Sequence, residues 1–188
     1  VIGDVSGHGL KSGLIMMMVQ TAIHVVINQN PDKDPSDLLV EINKAISYNI
    51  KKLGESKYMT ITVFAVHENG EFNFSGLHQD IIIYRADKDI VESKETNGMW
   101  LGVVDDLNGM VFNETIILNP GDILLLHTDG VTEALDENSN LYSYEKLVEI
   151  FGQLKDLPTE EIKNEIVKSL EDYSKPDDVT MVIVKRLQ

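Results

Sequence analysis

The sequence predicts an α+β fold of mostly antiparallel sheets with helices packed outside, and three observations predict it. Apolar residues recur at helical spacing over two long segments near the start and two near the end. Between them the period shortens to the alternation of strands, broken by turn residues at Glu68-Asn69-Gly70 and Pro120-Gly121-Asp122. A final strand then closes the chain. Helices, a run of strands, helices and a strand form two layers only if the helices cover sheet faces.

In order, Val1-Ile2 reads as a strand running into the acidic, glycine-rich loop Gly3-Asp4-Val5-Ser6-Gly7-His8-Gly9. Residues 10–28 are helical, with Leu14, Met17, Met18, Thr21, Val25 and Val26 near one face and Met16–Met18 as adaptable core packing. Residues 30–35 connect to a second helix, capped by Asp34 or Ser36 and running to about 52, with Leu38, Leu39, Ile42, Ala45, Ile46 and Ile50 at helical spacing. Strands follow at 58–67 and 71–76 around a hairpin turn, and at 80–85 and 90–94 around the turn 86–89. Further strands are expected at 99–104, 111–118 and 123–126. Helices resume at 143–154 and 159–173, and the last strand spans 178–185. No repeat, low-complexity tract or linker interrupts this pattern. The chain reads as a single domain over 1–188, N-terminally truncated because it opens mid-strand.

The 188 residues suffice for one substantial core. No run of about 18 apolar residues occurs, so no membrane span is expected. Without cysteine there is no disulfide, thiolate metal site or cysteine nucleophile. Ser6 lies outside a Gly-x-Ser-x-Gly elbow. The net charge of −15 argues against nucleic acid or an anionic membrane as partner, since both need a positive footprint. It would also repel a phosphorylated substrate unless bound cations reversed the sign locally.

Three acidic loops share one design. Asp4 follows Val1-Ile2, Asp129 follows the strand 123–126, and Asp177-Asp178 precede the closing strand. Each aspartate stands at the edge of an apolar strand, beside Gly or Pro. A lone carboxylate there is costly unless paired or coordinated, and several together need cations to stay ionised. Carboxylate oxygens, carbonyls and waters are hard ligands suited to Mg²⁺ or Mn²⁺. A cation site explains all three loops, although any one aspartate alone also reads as a turn former.

Taken in order, Gly-Asp-Val-Ser-Gly-His-Gly at 3–9, Thr-Asp-Gly-Val-Thr-Glu-Ala at 128–134 and Asp-Asp-Val-Thr-Met-Val-Ile-Val at 177–184 resemble the SpoIIE-type branch of the PPM (type-2C-like) metal-dependent serine/threonine protein phosphatases. Tyr58-Met59-Thr60, His78, Leu101-Gly102 and Pro120-Gly121-Asp122 are supporting matches, and the resemblance covers essentially the whole chain. It implies an αββα sandwich of two mostly antiparallel sheets, its N-terminal strand or strands missing here, with two divalent cations, Mn²⁺ or Mg²⁺. It implies metal ligation by Asp4, bridging both ions, by the Val5 carbonyl, and by Asp129 and Asp177, with Asp178 binding or orienting its neighbour. Hydrolysis would use a water activated by the metals and held through Asp4, Asp129 and Asp177. The implied substrate is a phosphoserine or phosphothreonine protein of the bacterial anti-anti-sigma type. An upstream sensor or regulatory domain, a cytoplasmic location and no direct membrane binding are also expected, with a homodimer left open.

The sequence departs from the family in two places. No segment with the family's upstream metal-binding aspartate precedes Val1, and Gly76-Leu77-His78-Gln79-Asp80 stands where relatives carry Ala-Gly-His-Pro-Pro. A catalytically inactive regulatory or docking domain retaining the fold is therefore the alternative reading. A hydrolase of small phosphoesters is a third. His8 reads as bonding within its loop, with phosphate contact as the alternative, and His78 as structural at a strand end. His127 and Trp100 read as packing residues. The helices at 10–28 and 36–52 adjoin the Asp4 loop, so a partner docking on them could move it.

Overall fold

The computed structural model describes residues 1–53 and 57–187. They resolve into two units, Val1–His78 with Thr96–Ile117, and Gln79–Glu95 with Leu118–Gln188. Each unit is one four-stranded sheet with its own helices, and every strand pairing among the described residues is antiparallel.

In the first unit β1 (Ile2–Val5), β2 (Met59–Val66), β3 (Glu71–Leu77) and β6 (Glu114–Ile117) lie in the order β1-β2-β3-β6. Helices α1 (Leu10–Gln29) and α2 (Pro35–Lys52) pack on it. Helix α2 starts as its sequence directs: Asp34 is the N-cap residue, Pro35 opens the first turn, and Lys51 and Lys52 sit at the negative end of the helix dipole. Its stripe of Leu38, Leu39, Ile42, Ile46 and Ile50 is buried against Ile61 and Val63 of β2, with Ala45 left exposed.

Helix α1 keeps Met18 and Val26 of the expected face against the core and turns the rest of that face outward. Leu14, Met17 and Val25 are exposed, as is Met16, while Ser12, Ile15 and Val19 are buried. The buried stripe continues through the half-buried Ala22, Ile23 and Val26. Helix α1 is apolar nearly all round, so periodicity alone could not select its inner face. By length and composition it is also long and apolar enough to cross a membrane, alone among the described helices.

The expected strand at 99–104 is another correction. Only Leu101 pairs, through a two-way backbone bridge to Met59. The next amide, Gly102 N–H, donates instead to buried Asn43 Oδ1 at 2.9 Å, and Asn43 Nδ2 donates to Val104 O at 2.9 Å. A side chain from α2 thus takes the place of a ladder.

The second unit orders its strands β5-β4-β7-β8, from β4 (Ile81–Arg85), β5 (Ile90–Lys94), β7 (Ile123–His127) and β8 (Met181–Lys185). Helix α4 (Tyr144–Gln153) and helix α5 (Thr159–Ser169) bury Leu147, Phe151, Ile162 and Ile166 in a core with Ile82, Ile123 and Leu125. The Ser143 side chain caps α4 by accepting from Lys146 N–H. Helix α5 ends at Ser169, short of the expected 173, and β8 begins three residues later than expected. A short helix, α3 (Asp129–Thr132), has no counterpart in the sequence reading, because one turn is too brief to show a period.

Candidate metal centre

Asp4 and Val5 belong to the first unit. The structure places Asp4 inside β1, opposite Thr60 of β2, rather than in the loop beyond the strand. Asp4 is half-buried and Val5 buried. The loop that follows is sewn to the start of β2. Ser6 N–H donates to Tyr58 O at 2.9 Å, and Tyr58 N–H returns a bond to Ser6 Oγ at 3.0 Å. Lys57 Nζ donates to Ser6 O at 2.8 Å and to Ser12 Oγ at 3.3 Å. Gly7, at φ 68°, leaves room for that ammonium group, which would stand 2.8 Å from an added Cβ. His8 is exposed.

Asp129, Asp177 and Asp178 belong to the second unit. Thr128 is the N-cap residue of α3, so Asp129 opens that helix directly after β7. Thr128 also ties the turn to the start of β8: its N–H donates to Thr180 O at 3.1 Å, and its Oγ1 donates to Asp178 O at 3.2 Å and accepts from Thr180 N–H at 3.1 Å. The segment before Asp177 is pinned by a two-way bridge between Ser174 and Leu135. Lys175 Nζ donates to Leu170 O at 2.8 Å.

The outcome is a pair of acids: carboxylate oxygens of Asp129 and Asp177 lie within 4.8 Å of each other. Asp177 Oδ1 additionally accepts from Asp178 N–H at 2.8 Å, which fixes its orientation. Two ionised carboxylates this close repel, and a hard cation between or beside them relieves the repulsion. The two carboxylates offer oxygen donors, which suit Mg²⁺ and Mn²⁺, and Asp178 supports the pair through backbone bonds to Asp177 and Thr128. His127, read as a packing residue, is buried beneath this turn; its Nδ1–H donates to Thr128 O at 3.1 Å, and burial pushes its pKa down.

Asp122 and Trp100 make contacts within the fold. Asp122 of the Pro-Gly-Asp turn is fully buried and accepts from Arg85, from Ala86 N–H and from Asn119 N–H. Trp100 stacks on Tyr58, with ring centroids 4.5 Å apart.

Comparison with solved structures identifies the architecture. The fold is shared with the SiaA-PP2C domain of Pseudomonas aeruginosa at a TM-score of 0.82 and 21% identity, over 97% of this chain and 73% of that one. It is also shared with the catalytic domain of the serine/threonine protein phosphatase PstP in complex with two manganese ions, at a TM-score of 0.70 and 15% identity, over 99% and 86% of the two chains. The fold class is therefore that of the type-2C phosphatases, two antiparallel sheets with flanking helices.

Residues 1–187 match the family Stage II sporulation protein E (SpoIIE), and the chain belongs to that family. A curated relative, the phosphoserine phosphatase RsbU of Bacillus subtilis (strain 168), is 28% identical over 193 residues, which cover 98% of this chain and 54% of RsbU. The chain thus spans about half the length of that relative.

Proposed function

We propose that this chain is a metal-dependent protein serine/threonine phosphatase domain, acting on phosphoserine or phosphothreonine of a bacterial regulator of the anti-anti-sigma type. The observation that carries the reading is the Asp129–Asp177 carboxylate pair, held by a turn that Thr128 ties to Asp178 and Thr180 and that the Asp178 N–H joins to the Asp177 carboxylate. On this reading Asp4, the Val5 carbonyl, Asp129 and Asp177 are the metal ligands. When bound, Mn²⁺ or Mg²⁺ supplies positive charge for the phosphoryl oxygens and lowers the pKa of the attacking water.

The remaining work falls to the chain. The Lys57 and Ser6 bonds fix the loop after Asp4. The Thr128 bonds fix the turn that presents Asp129. A surface of net charge −15 admits a phosphoprotein only where cations offset it, which ties substrate binding to metal binding. With no cysteine available, attack by water in one step is the route the residue types favour. Membership of the SpoIIE family and likeness to RsbU support the phosphatase reading. On the same reading the partners are the phosphoprotein and a sensory or regulatory domain, in the cytoplasm.

The test is release of inorganic phosphate from a phosphoserine-bearing anti-anti-sigma protein, titrated with Mn²⁺ and repeated with excess chelator. Metal-dependent release that Asp129→Asn abolishes supports the proposal. Metal-independent release, or efficient turnover of small phosphoesters with indifference to the phosphoprotein, would overturn it.

A further inference from the structure

His78 stands in the first unit where the end of β3, the segment around Thr96 and β2 meet. It follows β3 directly, and its main chain is held on both sides by one buried hydroxyl: His78 N–H donates to Thr96 Oγ1 at 2.9 Å, and Thr96 Oγ1 donates to His78 O at 2.7 Å. So anchored, the ring meets β2, where His78 Nδ1 lies 2.9 Å from Thr60 Oγ1. Thr60 stands opposite Asp4 in the β1–β2 register, and its Oγ1 is 3.2 Å from Asp4 O.

A threonine hydroxyl has one proton to give. If that proton goes to the Asp4 carbonyl, which can only accept, the contact to His78 must be donated by the ring. We infer that His78 carries its proton on Nδ1 and is a positioning residue for the metal site, acting through Thr60 on the main chain of Asp4. The inference rests on the proposed role of Asp4 as a metal ligand.

The geometry gives the relay a task. Strand β1 is four residues long and pairs with β2 through Thr60 at Asp4. A strand that short makes few ladder bonds of its own, so added ties to its main chain matter. The chain Thr96–His78–Thr60–Asp4 ties the Asp4 main chain through β2 to the segment beyond β3. It fixes where the carboxylate starts from. Groups that orient a ligand from outside the first layer commonly set metal affinity within a factor of ten to a hundred.

Isosteric variants of the full chain separate the hydrogen bond from mere packing. Asn places an amide where the imidazole has Nδ1, whereas Leu offers similar bulk and no donor. Mn²⁺ binding followed by electron paramagnetic resonance should weaken about tenfold in His78→Leu and in Thr60→Val. It should stay within about threefold of wild type in His78→Asn and Thr60→Ser, and the double variant His78→Leu/Thr60→Val should be no worse than either single change. Nitrogen-15 spectra of the wild-type protein should show the Nδ1–H tautomer of His78. Thermal melting without metal identifies any variant that merely fails to fold, in which case the tautomer and the Thr60 pair decide.

An Nε2–H tautomer overturns the inference, as does Mn²⁺ affinity unchanged in both folded His78→Leu and Thr60→Val. Equal weakening in His78→Leu and His78→Asn overturns it too, since packing would then be the cause. A wild-type chain that binds no Mn²⁺ instead brings down the metal reading on which the inference rests.

Discussion

Gly130 lies directly against the main chain of Asp178: a Cβ at Gly130 would sit 2.3 Å from the Asp178 carbonyl oxygen and 2.9 Å from its carbon. The Thr-Asp-Gly turn and the Asp-Asp segment are therefore one unit of structure, closed by backbone contact. The glycine after Asp129 is required by that approach. It sets the spacing at which the Asp129 and Asp177 carboxylates face each other.

Gly130→Ala should accordingly injure stability and metal binding together. The added methyl must push backbone rather than a flexible side chain, so a cost of about 1–3 kcal/mol is expected in urea unfolding. Mn²⁺ affinity should fall in the same variant because the two acids are spread apart. A loss of stability with unaltered affinity would mean that the turn tolerates the shift elsewhere.

Asp122 supplies a second prediction, with a pH dependence. Burial alone pushes its carboxyl up, but N–H bonds from Ala86 and Asn119 and the Arg85 guanidinium outweigh it and hold the pKa below the ordinary 3.8. The unfolded chain binds the proton more tightly, so the stabilisation is fully present above about pH 3.8 and is lost as pH falls through the lowered folded value. Asp122→Ala takes from Arg85, itself mostly buried, a carboxylate partner 2.9 Å away and leaves the pair with Glu92. Denaturation at neutral pH should show a loss of about 3 kcal/mol, and the gap to wild type should narrow below pH 3.8.

Much of this was legible in the sequence because the relevant signals are local. The α2 stripe and the alternation in β2 and β3 each announce their element within a few residues. What stayed hidden depends on distant partners. Only Asn43, about sixty residues away, explains why 101–104 forms no strand. Asp4 was expected just past a strand and stands within one, because Thr60 extends the pairing that Val1-Ile2 alone could not reveal. The inner face of α1 is not legible from periodicity because apolar residues lie on all sides of that helix. At the candidate site the acids were readable as a pattern and Thr60, His78 and Thr128 as parts of matched motifs, whereas the bonds these three make join positions far apart in the sequence and could not be read from it.

Asn43→Ala tests the side chain that replaces the missing strand. It removes a fully buried amide that accepts from Gly102 N–H and donates to the carbonyls of Val104 and Asp105 at 2.9 and 3.2 Å. Those groups then lack a partner, at a cost of about 1–3 kcal/mol for each one left buried. Urea unfolding should lose about 2–4 kcal/mol, and amide exchange at Gly102 should accelerate sharply.

Asp177 and Asp178 are adjacent acids with different tasks, and charge removal should tell them apart. The Asp177 carboxylate faces Asp129 and accepts the Asp178 N–H, whereas Asp178 acts through its backbone, its carbonyl receiving Thr128 Oγ1. Asp177→Asn keeps the shape and removes one of two repelling charges, so the metal-free protein should melt no lower than wild type. Its Mn²⁺ affinity should nonetheless fall by at least about tenfold, the scale that loss of an outer partner alone can reach. Asp178→Asn leaves the backbone contacts in place and should bind Mn²⁺ within about twofold of wild type. Calorimetric titration of both variants reads the difference directly. Equal losses would assign the Asp178 side chain to the ligand set, and a greater loss in Asp178→Asn would exchange the roles of the two residues.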